Sequence, residues 1–214
     1  MLHPVIALDG PAASGKSTVA RQLAARLRFV YVDTGSMYRT FAWAALEKGT
    51  DPSSRPAVME LIRTAGFSAR VENGGIVLQA LGTDPTPHIR EKRINDTVSV
   101  IAAIPELREY LVNEQRKLRL SHPLVMEGRD IGTVVFPDTP YKFFLDADPA
   151  IRDQRRRAQG EADSLAKRDE LDRARASAPL IRAADAERID SGALDAARIV
   201  ELILDRARSL GLAC

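Results

Sequence analysis

Short apolar runs recur along the chain at residues 5–8, 29–32, 124–126 and 142–145. Runs of this length, with little alternation between apolar and polar positions, read as strands buried on both faces of a sheet. Between the first two, Val19, Leu23 and Leu27 recur at helical spacing, so residues 5–32 spell strand, helix, strand. That βαβ unit implies a parallel sheet, because parallel neighbours need a crossover connection of this kind. Near the end of the chain, residues 193–210 place Leu194, Ile199, Leu202, Ile203 and Leu210 on an apolar stripe, with Asp195, Arg198, Asp205 and Arg208 on the wet side. Such a helix packs and carries no chemistry.

Two segments break this rhythm. Between residues 49 and 90, two partly alternating stretches flank Asn73-Gly74-Gly75, the signature of a hairpin, and predict a small lobe inserted at about residues 36–110. Residues 151–179 are helical in propensity but too charged for a core; they are expected to cover the open edge of the sheet or to move, with residues 152–170 as a short lid. The predicted fold class is α/β: a three-layer core with a parallel sheet, an inserted lobe and a lid, in a single domain over residues 1–214.

The first loop supplies the chemistry. Gly10-Pro11-Ala12-Ala13-Ser14-Gly15-Lys16-Ser17 matches G-x-x-x-x-G-K-[ST] and lies after a strand and before a helix. Glycines at both ends let backbone N–H groups turn toward a triphosphate, the helix adds about half a positive charge, and Lys16 supplies an ammonium. Ser17 is the predicted Mg²⁺ ligand, with Thr18 beside it. The loop says that a nucleoside triphosphate binds; it does not say what happens next.

Charge narrows the field. With 31 basic and 29 acidic residues the net charge is only +2, so no strongly positive field gathers nucleic acid and any anion site is local. Only six of the cations are lysine, and the excess of arginine favours side chains that grip phosphate oxygens in pairs. The lone Cys214 allows no intrachain disulfide, and His3, His88 and His122 are too scattered for a metal site. The N-terminal residues lack the regions of a signal peptide and no apolar stretch approaches membrane-spanning length, so a cytoplasmic, membrane-free chain is expected. Nothing in the pattern demands an interface, and a monomer is expected.

A GTP switch needs an Asn-Lys-x-Asp guanine reader, and the sequence has no Asn-Lys pair. An ATP-hydrolysing switch or motor needs a carboxylate after an apolar strand, which residues 143–148 (FFLDAD) imitate, so that reading stays open. Against it stand the arginine and carboxylate clusters: Arg129-Asp130 ends one strand, and Arg168, Asp172 and Arg175 fall on one face of a helix, although the last three also fit an ordinary solvated surface. A phosphate acceptor is already ionised near neutral pH and needs cations more than a general base. Arginine-rich loops around a phosphate loop therefore suit a nucleotide acceptor, with UMP or shikimate as alternatives that physics alone leaves open.

The segments DGPAASGKST, VDTGSMYR, MEGRDIGTVVFPD and RDELDRARASAPL, in this order, resemble the bacterial cytidylate kinase family over nearly the whole chain. The resemblance implies a P-loop kinase in which MgATP donates a phosphoryl group to CMP or dCMP, and an enlarged monophosphate-binding insert within residues 63–90. It implies that Thr34, Arg39, Arg129 and Arg175 hold the acceptor phosphate, Arg168 and Asp172 the sugar, and Ser99, Arg108 and Asp130 the cytosine, with Tyr38 lining the site. Lys16, Arg129 and Arg175 become the predicted catalytic cations. Arg155 and Arg156 are the predicted lid contacts to ATP, with Arg152 and Arg157 as alternatives. Thr34 stands where family members often carry serine, and residues 160–167 are short beside the mobile lid of many relatives.

Overall fold

Successive residues of a strand point to opposite faces, and in the central strand each face meets its own set of helices. The computed structural model describes residues 2–158 and 179–213. In chain order the elements are β1 (Val5–Asp9), α1 (Lys16–Leu27), β2 (Val30–Asp33), α2 (Thr34–Glu47), α3 (Arg55–Thr64), β3 (Ser68–Glu72) and β4 (Gly75–Gln79). They continue with α4 (Lys92–Ile101), α5 (Pro105–Leu118), β5 (Leu124–Gly128), a π-helical turn (Ile131–Val135), β6 (Tyr141–Asp146), α6 (Pro149–Ala158), β7 (Glu187–Asp190) and α7 (Ala196–Ser209).

Five strands form one sheet in the order β2-β5-β1-β6-β7, and every neighbouring pair is parallel. Ile6 and Leu8 pack with α1 and α7, while Val5 and Ala7 pack on the other face with Val112 and Leu118 of α5 and the π-turn. That is the predicted three-layer α/β core. The register sets Asp9 beside Gly128 and Asp33 beside Glu127, so the C-terminal ends of three strands finish level. The chain leaves β1 toward β2 on one side and later returns to β6 on the other, and the crevice at such a reversal is where parallel sheets bind ligands.

A second core lies beside the sheet. Phe41, Leu61, Ile94, Leu107 and Leu111 from α2 through α5 are fully buried together, and Phe41 meets the rings of Phe67 and Tyr110 at 5.1 and 5.8 Å. The antiparallel pair β3–β4, turning at Asn73-Gly74, packs on this cluster. At the hairpin's tip the Gly74 carbonyl accepts from Tyr31 N–H at 2.9 Å, so the tip sits against the outer side of β2.

Two expectations need correction. The stripe on α7 is Ile199, Val200, Ile203, Leu204 and Ala207; Leu202 is only half-buried and Leu210 lies past the end of the helix, exposed. The face is set by i, i+4 neighbours over a helix that stops at Ser209. The charged stretch after Pro149 is also not wholly solvated, because Arg152 and Arg156 of α6 are buried. Residues 159–178, with Arg168, Asp172, Arg175 and most of the expected lid, lie outside the described residues.

Candidate active site

A cleft of about 820 Å³ opens at the C-terminal ends of the strands and runs from the phosphate loop to α4 and α5. At its donor end the loop leaves β1 through Gly10, where φ is +150° and a Cβ would lie 2.0 Å from the Leu145 carbonyl oxygen. Only glycine passes so close to β6. Gly15, at φ +84°, turns the backbone into the N-terminus of α1, whose free N–H groups form an anion site. Lys16 is buried, and its ammonium donates to Pro11 O at 2.6 Å and Ser14 Oγ at 3.2 Å. The ammonium is therefore held over the loop.

The loop is braced from behind. Ser191 Oγ, just past β7, donates to Ser14 O at 2.7 Å, and Arg152 of α6 donates to Ala12 O at 3.2 Å and Ala147 O at 3.2 Å. Arg155 and Arg156 both line the cleft. Arg155 Nη2 donates to Ser191 O at 2.6 Å, whereas its Nη1 is buried without a hydrogen-bond partner among the described residues and stands 3.7 Å from where a Gly15 Cβ would be. An unsatisfied guanidinium nitrogen beside the loop is a cation in want of an anion. Among the alternatives, Arg152 is occupied in holding the loop.

Between donor and acceptor ends lie two buried carboxylates, Asp9 and Glu127. Glu127, at the end of β5, accepts from Tyr31 Oη at 2.6 Å and has the Ser17 hydroxyl beside it. Burial and the charge of Asp33 push it above the usual carboxylate range, opposed by Lys16 and by these two donors. Burial and the same negative neighbours push the Tyr31 phenol far up, so it stays a donor. Asp146, the first carboxylate in the stretch that imitates a motor's strand end, instead faces β7, where Arg188 donates to it at 3.2 Å. The position behind Ser17 belongs to Glu127. Oxygen donors from Ser17 and Glu127 beside a phosphate loop match what Mg²⁺ takes when nucleotide phosphates supply its remaining ligands.

At the acceptor end, Asp33 caps α2 by accepting from Ser36 N–H at 3.2 Å, which brings Thr34, Tyr38 and Arg39 onto the cleft. Thr34 Oγ1 donates to Glu127 O at 2.8 Å, and Arg39 Nε donates to Asn95 Oδ1 at 3.4 Å. Arg129, half-buried, follows Gly128 at the end of β5. Deepest lies Arg108 of α5, whose guanidinium donates to Asp130 Oδ2 at 2.5 Å and to Ala102 O at 3.3 Å, 5.4 Å from the centre of the Tyr38 ring. Both partners of this pair are more than nine-tenths buried. Ser99 lines the same wall from α4.

The structure thus brings Thr34, Tyr38, Arg39, Ser99, Arg108, Arg129 and Asp130 to one end and residues 12–18 with Arg155 and Arg156 to the other. Gly10 and Pro11 stand behind the loop. The sequence gives no role to Asp9, Tyr31, Glu127 or Ser191, and offers Arg152 only as an alternative lid contact, not as a brace of the loop. Asp9 and Glu127 each end an apolar strand and abut a motif, which was the available signal; the other three are recognisable only once the sheet is assembled.

The cytidylate kinase family profile matches residues 6–209. The cytidylate kinase of Pelotomaculum thermopropionicum is 41% identical over 215 residues, covering 95% of each chain. That of Nitratidesulfovibrio vulgaris is 44% identical over 224 residues, covering 97% of this chain and 95% of the relative. Among solved structures, an uncharacterized protein from Eubacterium ventriosum covers 97% of this chain and 99% of its own at a TM-score of 0.50 and 13% identity, a likeness of fold alone.

Proposed function

The chain belongs to the cytidylate kinase family, and from that premise we propose that its cleft carries the γ-phosphoryl group of MgATP to CMP or dCMP, forming ADP and CDP or dCDP. One observation carries the reading at residue level. A single cleft holds a phosphate loop at one end and, at the other, a buried Arg108–Asp130 pair. Burying two charges is costly unless their hydrogen bonding is put to use.

The phosphate loop and the N-terminus of α1 bind the triphosphate through backbone N–H groups, and Lys16 and the unsatisfied Arg155 nitrogen face its charge. Arg156 stands beside them. Ser17, oriented by Glu127, would hold Mg²⁺, which when bound neutralises charge on the phosphates. Thr34, Arg39 and Arg129 hold the acceptor phosphate. Its oxygen attacks in line without a general base, since a phosphate monoester is largely dianionic at neutral pH. Catalysis is then alignment and charge cancellation, with Lys16 and Arg129 among the described residues as the cations that face the transferred group. Arg168, Asp172 and Arg175 retain the sugar and phosphate roles that the resemblance implies; they lie outside the described residues.

For the base, cytosine offers an N4–H₂ donor beside its N3 and O2 acceptors. Asp130 accepts from the first, Arg108 and Ser99 donate to the others, and Tyr38 walls the pocket. Uracil places an acceptor where cytosine has its donor, and leaves the buried carboxylate facing a lone pair. The segment over residues 36–110 serves as the acceptor lobe and residues 152–170 as the lid. The reaction needs only diffusible nucleotides, consistent with a monomer in the cytoplasm; among the described residues no helix is long and apolar enough to cross a membrane.

The test is ADP formation from MgATP with CMP, dCMP, UMP, AMP, GMP or shikimate in separate reactions. Rapid turnover with CMP and dCMP and slow turnover with the others is the expected result. Hydrolysis indifferent to every acceptor would overturn the reading.

A further inference from the structure

Asp9 ends β1, directly before the phosphate loop, yet its carboxylate reaches across to the turn that follows β5. Oδ1 accepts from Ile131 N–H at 2.8 Å and Oδ2 from Gly132 N–H at 2.7 Å. These are the first two amides of the π-turn, and Asp9 is itself buried. The approach is close: a Cβ on Gly132 would lie 3.3 Å from Asp9 Oδ2 and 3.1 Å from Lys142 Cδ. Asp130 is the residue just before this turn, and its own carbonyl accepts from Val134 N–H at 2.8 Å and Val135 N–H at 3.2 Å. The direction in which the Asp130 side chain leaves the backbone, toward Arg108, is therefore set by a turn whose leading amides are gripped by Asp9.

We propose that Asp9 is a positioning residue for acceptor discrimination: its two charge-assisted hydrogen bonds hold the π-turn so that Asp130 meets the cytosine amino group at the right distance and angle. The proposal rests on the reading of Asp130 as the base reader. It ties the two ends of the cleft together, since the strand that launches the phosphate loop also fixes the acceptor pocket. Neutral–neutral substitutes for this contact are weaker, because hydrogen bonds to an ionised acceptor are about twice as strong as those between neutral groups.

A second property follows from the surroundings. Burial raises the Asp9 pKa to about 6, and the charge of Asp130 adds to this, while the two amides and Lys16 pull it down. Lys142 packs its methylenes beneath Gly132 and sends its ammonium to Asp185 at 2.7 Å. Protonation of Asp9 places an O–H donor against an N–H donor and breaks one arm of the grip. Discrimination between acceptors is then pH-dependent near pH 6.

The experiment compares kcat/KM for CMP and for UMP in the wild type, Asp9→Asn and Asp130→Asn between about pH 5.5 and 7.5, with KM for ATP and the melting temperature alongside. The ratio of the two acceptors cancels the titration of their shared phosphate, whose second pKa is near 6. In Asp9→Asn the CMP to UMP ratio is expected to fall about tenfold at pH 7.5, the effect of one lost charge-assisted bond, with KM for ATP within about twofold. In the wild type the ratio is expected to fall as pH drops through 6, and in Asp9→Asn to stay flat. A ratio that shifts in Asp130→Asn but not in Asp9→Asn overturns the proposal and leaves the base-reading intact; an unchanged ratio in Asp130→Asn overturns the base-reading itself. If Asp9→Asn does not fold, a wild-type ratio independent of pH overturns the proposal.

Discussion

The donor end of the cleft is eight consecutive residues on one turn between β1 and α1, clamped from behind by Arg152 and Ser191 against the central strands. The acceptor end draws Thr34, Arg39, Ser99, Arg108 and Asp130 from the starts or interiors of α2, α4 and α5 and from the end of β5, over a separate hydrophobic cluster. One end is made by backbone groups that any sequence with the right glycines presents; the other by side chains that converge only after distant helices have packed. The triphosphate of every nucleoside is alike and a fixed cradle serves it. A base must be told from its near relatives, which takes side-chain chemistry at chosen points.

That contrast can be broken most severely at Lys16. Lys16→Ala is expected to lower kcat about 10³-fold or more with every acceptor alike, because one well-placed cation contributes that much in phosphoryl transfer; steady-state rates with CMP, dCMP and UMP check whether the loss is uniform. Phe41→Ala attacks the other end through its core. A loss of about 3–5 kcal/mol is expected in urea unfolding, with acceptor affinity weakened more than ATP affinity when both are titrated in the folded protein. Retained CMP affinity in that variant would mean the helical cluster does not shape the pocket.

Smaller effects sharpen the comparison. Tyr31→Phe removes the donor to Glu127 Oε1 while leaving the Ser17 contact, and kcat is expected to drop about tenfold with both KM values little changed. The smallest effect is expected at the surface pair between Arg55 and Glu106, at the start of α3 and α5. Arg55→Ala should move stability by less than about 1 kcal/mol, read from the shift of the urea midpoint.

The same contrast governs how much was legible before folding. A buried parallel sheet advertises itself in short apolar runs, and the phosphate loop is contiguous, so both could be read along the chain. The residues that resemble a known family extended this to Arg108 and Asp130, although nothing in their spacing of 22 positions says that they touch at 2.5 Å. Asp9 and Glu127 were hidden for another reason. Each reads as the polar end of a strand, and only the register that sets Asp9 beside Gly128 shows that one carboxylate reaches the turn after its neighbour. The burial of Arg152 and Arg156 was not legible, because a charged helix gives no sign that a loop's carbonyls lie beneath it. For α7 the apolar residues were visible, but the stripe missed Val200, Leu204 and Ala207 and took in Leu210, because the sequence does not mark where the helix stops.

The contact between Gly74 and Tyr31 has a consequence for the behaviour of the protein at high concentration. β2 is the outermost strand on its side of the sheet, and an outermost strand with open amides invites the same strand of another molecule. The hairpin tip occupies that position. Shortening the β3–β4 hairpin, a natural choice when trimming the chain for crystallisation or display, would therefore uncover the outer edge of β2 at Tyr31, and the shortened protein is expected to self-associate more readily than the full chain.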